Sequence, residues 1–148
     1  MRTVATVLLA ISLFAPIAHA DQPYDESANA LADIKQALKA ASAEKKNVIA
    51  IFGANWCPYC RALAKALAGE AGRKLEQKFV IVKVNVGQFD TNMDLVQSYG
   101  NPLGDGLPGA AVIGADDKTL FIAKADELVN AVDKGDDGLS ELFGKGVK

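Results

Sequence analysis

The chain has 148 residues, is half apolar and 23% charged, and carries a net charge of −2. That is the size and balance of one ordinary soluble domain. It contains no basic block, which argues against a nucleic acid or an anionic membrane surface as partner.

Arg2 supplies a positive charge ahead of the apolar run Val4–Phe14, which Pro16 breaks. Ala18, His19 and Ala20 then place small residues around a cut after Ala20. This is the layout of a cleaved secretory signal over residues 1–20. The run is too short to span the ~30 Å of a bilayer core, so no membrane span is expected after cleavage. The mature domain would be residues 21–148, in an oxidising periplasmic or extracellular setting where a cysteine pair can close. Cleavage also removes His19, the only histidine.

Tyr24–Lys46 reads as a helix, with Leu31, Ile34 and Leu38 at helical spacing. Val48–Phe52 is a short continuous apolar run, the pattern of a buried parallel strand. A second helix is expected from Pro58 to about Gly69, since proline suits the first helical position. Phe79–Val86 is dominated by β-branched residues and reads as a strand. Asp90 or Thr91 would cap a helix running to about Tyr99, with Gly100 at its C-terminal end. Asn101–Gly109 is a Gly- and Pro-rich loop. Ala110–Gly114 and Thr119–Ala123 flank a polar turn and read as a β-hairpin. Asp126–Lys134 and then Leu139–Phe143 are expected as closing helices. The predicted fold class is α/β, one mixed sheet with helices on both faces.

Both cysteines, Cys57 and Cys60, stand two residues apart at the start of the second helix. Positions i and i+3 share a helix face, so the sulfurs can meet. The helix dipole and free N–H groups favour a thiolate on Cys57, with Cys60 as the resolving thiol in a cycle of attack, mixed disulfide and release. A static disulfide here would constrain almost nothing, because the closed loop is so small. A structural zinc site needs four ligands, and the mature chain offers two cysteines and no histidine. Arg61 follows Cys60 where c-type haem needs histidine. A cysteine–histidine hydrolase fails for the same lack. Cu(I) carriage by two thiolates stays open beside redox exchange. Asp133, Asp137 and Gly138 fit three positions of a calcium loop, but Gly144 stands where glutamate is required; the segment reads as a solvated turn. Arg61 reads as a surface residue.

Trp56-Cys57-Pro58-Tyr59-Cys60 after an apolar strand, with Leu107-Pro108 some fifty residues later before a hairpin strand, resembles the thioredoxin superfamily. The resemblance covers residues 48–132, and Gly106-Leu107-Pro108 is similar to the loop of exported thioredoxin-like thiol–disulfide proteins. Pro58-Tyr59 is similar to the dipeptide of glutaredoxins. The resemblance implies a thioredoxin fold with a central mixed four-stranded sheet and an extra N-terminal helix. It implies Cys57 as nucleophile, Cys60 as buried partner, and Trp56, Pro58, Tyr59, Leu107 and Pro108 around the substrate, with Pro108 after a cis bond. The expected protein is a monomer with no bound cofactor or metal and with protein thiols and disulfides as partners; it reduces or isomerises them, recharged by a membrane electron carrier, or oxidises them, a direction the sequence leaves open. The family commonly keeps a buried acid six residues before the first cysteine, where this chain has Ile51; its lysine partner matches Lys83. No opening strand is evident in residues 21–27, so Phe79–Val86 is expected to be a sheet edge or to lie under the N-terminal segment. The alternative function is a non-catalytic binding module of the same fold, or a Cu(I) carrier.

Overall fold

The computed structural model describes residues 22–147. The proposed signal segment, residues 1–20, lies outside them. Ten elements follow in chain order: α1 Ala30–Glu44, β1 Asn47–Gly53, α2 Pro58–Leu67, α3 Glu70–Glu76, β2 Phe79–Asn85, α4 Met93–Ser98, β3 Gly109–Ile113, β4 Thr119–Ala123, α5 Ala125–Asp133 and α6 Gly138–Gly144.

The strands form one four-stranded sheet in the order β2-β1-β3-β4. β1 runs parallel to β2 and antiparallel to β3, and β3 is antiparallel to β4. β1 is buried from Val48 to Gly53, which explains its unbroken apolar sequence. Side chains alternate along it between two cores. Val48, Ala50 and Phe52 join Ile34 of α1 and Val96 of α4. Ile49 and Ile51 join Leu63 of α2, Leu75 of α3, Leu128 of α5 and Phe143 of α6. This is the thioredoxin fold with an added N-terminal helix. Among the described residues, no helix is long and apolar enough to cross a membrane.

Three boundaries differ from expectation, each for a local reason. The first helix starts at Ala30, not Tyr24. Asn29 accepts a hydrogen bond from the Ala32 N–H at 3.1 Å and so caps it. Ahead of it, the Asp25 carboxylate accepts from the Ser27 N–H at 2.8 Å and the Ser27 hydroxyl at 2.6 Å, holding a turn instead. Leu31, expected inside, is exposed. The second helix ends at Leu67, and a break at Ala68 and Gly69 restarts the chain as α3, an element the periodicity does not show. The Leu67 carbonyl sits so close to Gly72 that any Cβ there would overlap it. Asp90 and Thr91 do not cap the next helix. Asp90 accepts from the Gln88 N–H at 3.0 Å within a loop, and Asn92, in the left-handed region at φ 55°, directly precedes α4.

β2 is an edge strand of the sheet, and residues 22–29 add no strand beside it. Lys83 stands opposite Ile51 in the β1–β2 register and is exposed, so it is a solvent-facing residue with no buried acid to meet. Asp137, from the calcium-like segment, pairs with Lys74 at 2.6 Å on the surface.

Candidate functional site

The strand β1 delivers the chain into the segment 53–57, and α2 carries it away. Cys57 is the N-cap of α2, with extended backbone (φ −83°, ψ 118°), and Pro58 is the first helical residue. The Cys57 sulfur accepts a hydrogen bond from the Cys60 N–H at 3.3 Å. Both cysteines are free thiols. Cys57 is 4% exposed and Cys60 is fully buried, so Cys57 is the one with a route to solvent.

Burial pushes the Cys60 thiol up to about 12, and the hydrogen bond and charge of Cys57 push the same way. A backbone hydrogen bond from Ala54 and the Tyr24 hydroxyl oppose the rise. Cys60 therefore holds its proton until something at Cys57 calls for its electrons.

The sites named from sequence converge in part. Trp56 is 46% exposed and donates its indole N–H to the Gly87 carbonyl at 2.8 Å. Its ring meets Phe89 at a centroid distance of 6.2 Å. Pro58 is exposed at the helix start, and Tyr59 is 59% exposed beside it. The Leu107–Pro108 peptide is cis. Leu107 packs on the cluster formed by Cys57 and Cys60. Pro108 and Tyr59 share an apolar pocket of 220 Å³ with Leu128, Val129 and Val132. The loop is thus folded onto the cysteine pair from across the sheet. Ile51 is not at the pair: its side chain belongs to the core beneath α2, α3, α5 and α6. Arg61 is exposed, and among the described residues its guanidinium makes one hydrogen bond, a long one of 3.5 Å to the Asn55 carbonyl.

Sequence reasoning missed two residues here. Tyr24 is 1% exposed and completes the cluster with Cys57 and Cys60. Asn55, directly ahead of the cysteine motif, clamps it there: its side chain accepts from the Tyr24 N–H at 2.9 Å and donates to the Tyr24 carbonyl at 2.8 Å. A polar residue with no evident task, two residues before the first cysteine, was the available signal.

Two thiols one turn apart, one reachable and one held protonated behind it, can pass between dithiol and disulfide. The sequence matches the Thioredoxin-like family over residues 29–115. The chain belongs to the thioredoxin-like family. It is 39% identical over 59 residues to thioredoxin H3 of Arabidopsis thaliana, an overlap of 40% of this chain and 48% of that protein. The chain thus spans about half the length of the curated relative it matches. A wider likeness is to the crystal structure of a disulphide isomerase from Xylella fastidiosa Temecula1. It is 41% identical, has a TM-score of 0.76, and the match covers 85% of this chain and 97% of that one. A thioredoxin-like domain of this kind supports thiol–disulfide exchange in general.

Proposed function

We propose that this protein is an exported thiol–disulfide oxidoreductase that exchanges disulfides with protein substrates through Cys57 and Cys60. The observation that carries the reading is the placement of Cys57 as helix N-cap directly over the buried, protonated Cys60. In the reducing direction, the Cys57 thiolate attacks a substrate disulfide, and one substrate sulfur leaves as a thiolate. Cys60 then attacks Cys57 in the mixed disulfide, which releases the second substrate thiol and leaves a Cys57–Cys60 disulfide. The oxidising direction is the reverse, and the redox partner sets which one runs.

Trp56, Pro58 and Tyr59 form an exposed rim beside Cys57, and the Leu107–Pro108 loop forms the opposite side. An extended polypeptide laid between them would bring its disulfide to Cys57. We assign no cofactor or metal to the site. The arrangement of residues 1–20 supports export to the periplasm or beyond, with a membrane electron carrier as the partner that recharges the pair. The protein would act as a monomer.

Reduction of insulin with an external dithiol tests the reading. The wild-type protein should accelerate it, and Cys57→Ser should not. A wild-type rate equal to the uncatalysed background rejects the enzyme, and stoichiometric Cu(I) binding in its place favours the carrier. Cys60→Ala should trap mixed disulfides with exported proteins, which identifies the substrates.

A further inference from the structure

The Tyr24 hydroxyl is a buried polar group with no use in the steps above. It has no hydrogen-bond partner among the described residues in the resting protein, although buried hydroxyls are nearly always paired. The groups it faces are the thiols of Cys60 and Cys57. Its place is built from both sides. Asn55 pins the Tyr24 backbone by two hydrogen bonds, and Gly53 at the end of β1 leaves the room for the ring: a Cβ on Gly53 would overlap the ring carbon and oxygen of the hydroxyl end.

We infer that Tyr24 donates its hydroxyl hydrogen to the Cys60 sulfur as that sulfur becomes a thiolate, and so assists resolution of the mixed disulfide. The inference rests on the disulfide-exchange reading of the cysteine pair. A neutral thiol is a weak acceptor and a thiolate a strong one, so the bond strengthens only as charge develops. That is the condition for accelerating a step rather than stabilising its ground state. Burial, followed by the charges of Cys60 and Cys57, raises the ionisation of Tyr24 well above the usual phenol range. The residue therefore stays protonated, a donor and never the base. The Ala54 N–H is the one backbone donor that assists it at the same sulfur.

The step balances as follows. Cys60 gives its proton to water, and its thiolate attacks the Cys57 sulfur. The Cys57–Cys60 bond forms as the bond from Cys57 to the substrate sulfur breaks. The electron pair leaves on that sulfur, which takes up a proton. The protein dithiol is oxidised by two electrons and the substrate disulfide is reduced.

Stopped-flow mixing of the reduced protein with 5,5′-dithiobis(2-nitrobenzoate) separates the two halves. Attack by Cys57 releases the first thionitrobenzoate and resolution by Cys60 releases the second. Tyr24→Phe removes only the hydroxyl. It should leave the first phase unchanged and slow the second about tenfold, the scale of a lost hydrogen bond to a charged group. The pH profile of the second phase should move to the alkaline side by about one unit. The melting temperature should stay level or rise, because an unpartnered buried hydroxyl is lost. A second phase with wild-type rate and wild-type pH profile overturns the inference while the exchange reading stands. A wild-type protein that never releases the second thionitrobenzoate overturns both. Should Tyr24→Phe fail to fold, 3-fluorotyrosine at position 24 keeps the ring and makes a more acidic donor. It should quicken the second phase, and an unchanged rate again overturns the inference.

Discussion

Raising the pH on the reduced protein should cost stability through Cys60, the thiol buried behind Cys57. Its folded value is lifted to about 12 by burial and by Cys57, whereas a thiol in an unfolded chain ionises near about 8.5. A group whose folded value is raised contributes its full stability below the unfolded value. That contribution drains as pH climbs toward the folded one. At about pH 9.5 the unfolded chain gains about 1.4 kcal/mol from ionising this thiol, while the folded chain keeps it protonated; at about pH 7.5 the gain is under about 0.1 kcal/mol. Tyr99, lifted to about 12 by burial and its 2.9 Å hydrogen bond to Asp117, enters only above about pH 10. The assay is urea unfolding of the reduced protein at these two pH values, beside Cys60→Ala. The variant retains Cys57, so the difference in slope reports Cys60 together with its coupling to Cys57. The wild type should lose about 1.4 kcal/mol more than the variant over this interval. Equal losses would refute the argument that burial holds the Cys60 proton.

Gly72→Ala would drive a Cβ into the Leu67 carbonyl at the α2–α3 break and should destabilise by about 3 kcal/mol or more. Gly144→Ala, with open space at its Cβ, should instead be neutral or slightly stabilising, and thermal melts of the two check the contrast. Phe143 is fully buried and its ring meets Phe79 at 6.3 Å; Phe143→Ala should cost about 3–5 kcal/mol by denaturant unfolding. Asn55→Ala removes both hydrogen bonds that hold Tyr24. Limited proteolysis should then cut near residues 22–28 faster than in the wild type, and an unchanged cleavage rate would show that the clamp does not hold that segment.

The cysteine motif was readable because its signals are local. Pro58 marks the helix start, the apolar run before it marks the strand, and the hairpin after Leu107-Pro108 follows from two β-rich stretches around a polar turn. What was not readable depends on contacts across the chain. Tyr24 looks like the opening of a helix whose periodicity begins nearby, yet a distant Asn55 holds it at a bend against the cysteines. Nothing in the spacing of α2 announces that the chain breaks at Gly69 and turns back as α3; that follows from the close approach at Gly72. Ile51 shows the limit from the other side. Its alternation along β1 sends it into the core away from the pair, and the residue that reaches the buried thiol comes from a different part of the chain.

The position of β2 at the rim of the sheet has a consequence for how these molecules behave in crowded solution. A parallel edge strand offers a row of unmatched backbone donors and acceptors, and Phe79–Val82 is apolar throughout. Such a strand is a template for a neighbouring chain. Lys83 interrupts it with an exposed ammonium in mid-strand, and any strand docking there must strip water from that charge. The lysine that matches the family's partner to a buried acid thus stands where its charge should keep one copy of the fold from zipping onto the next.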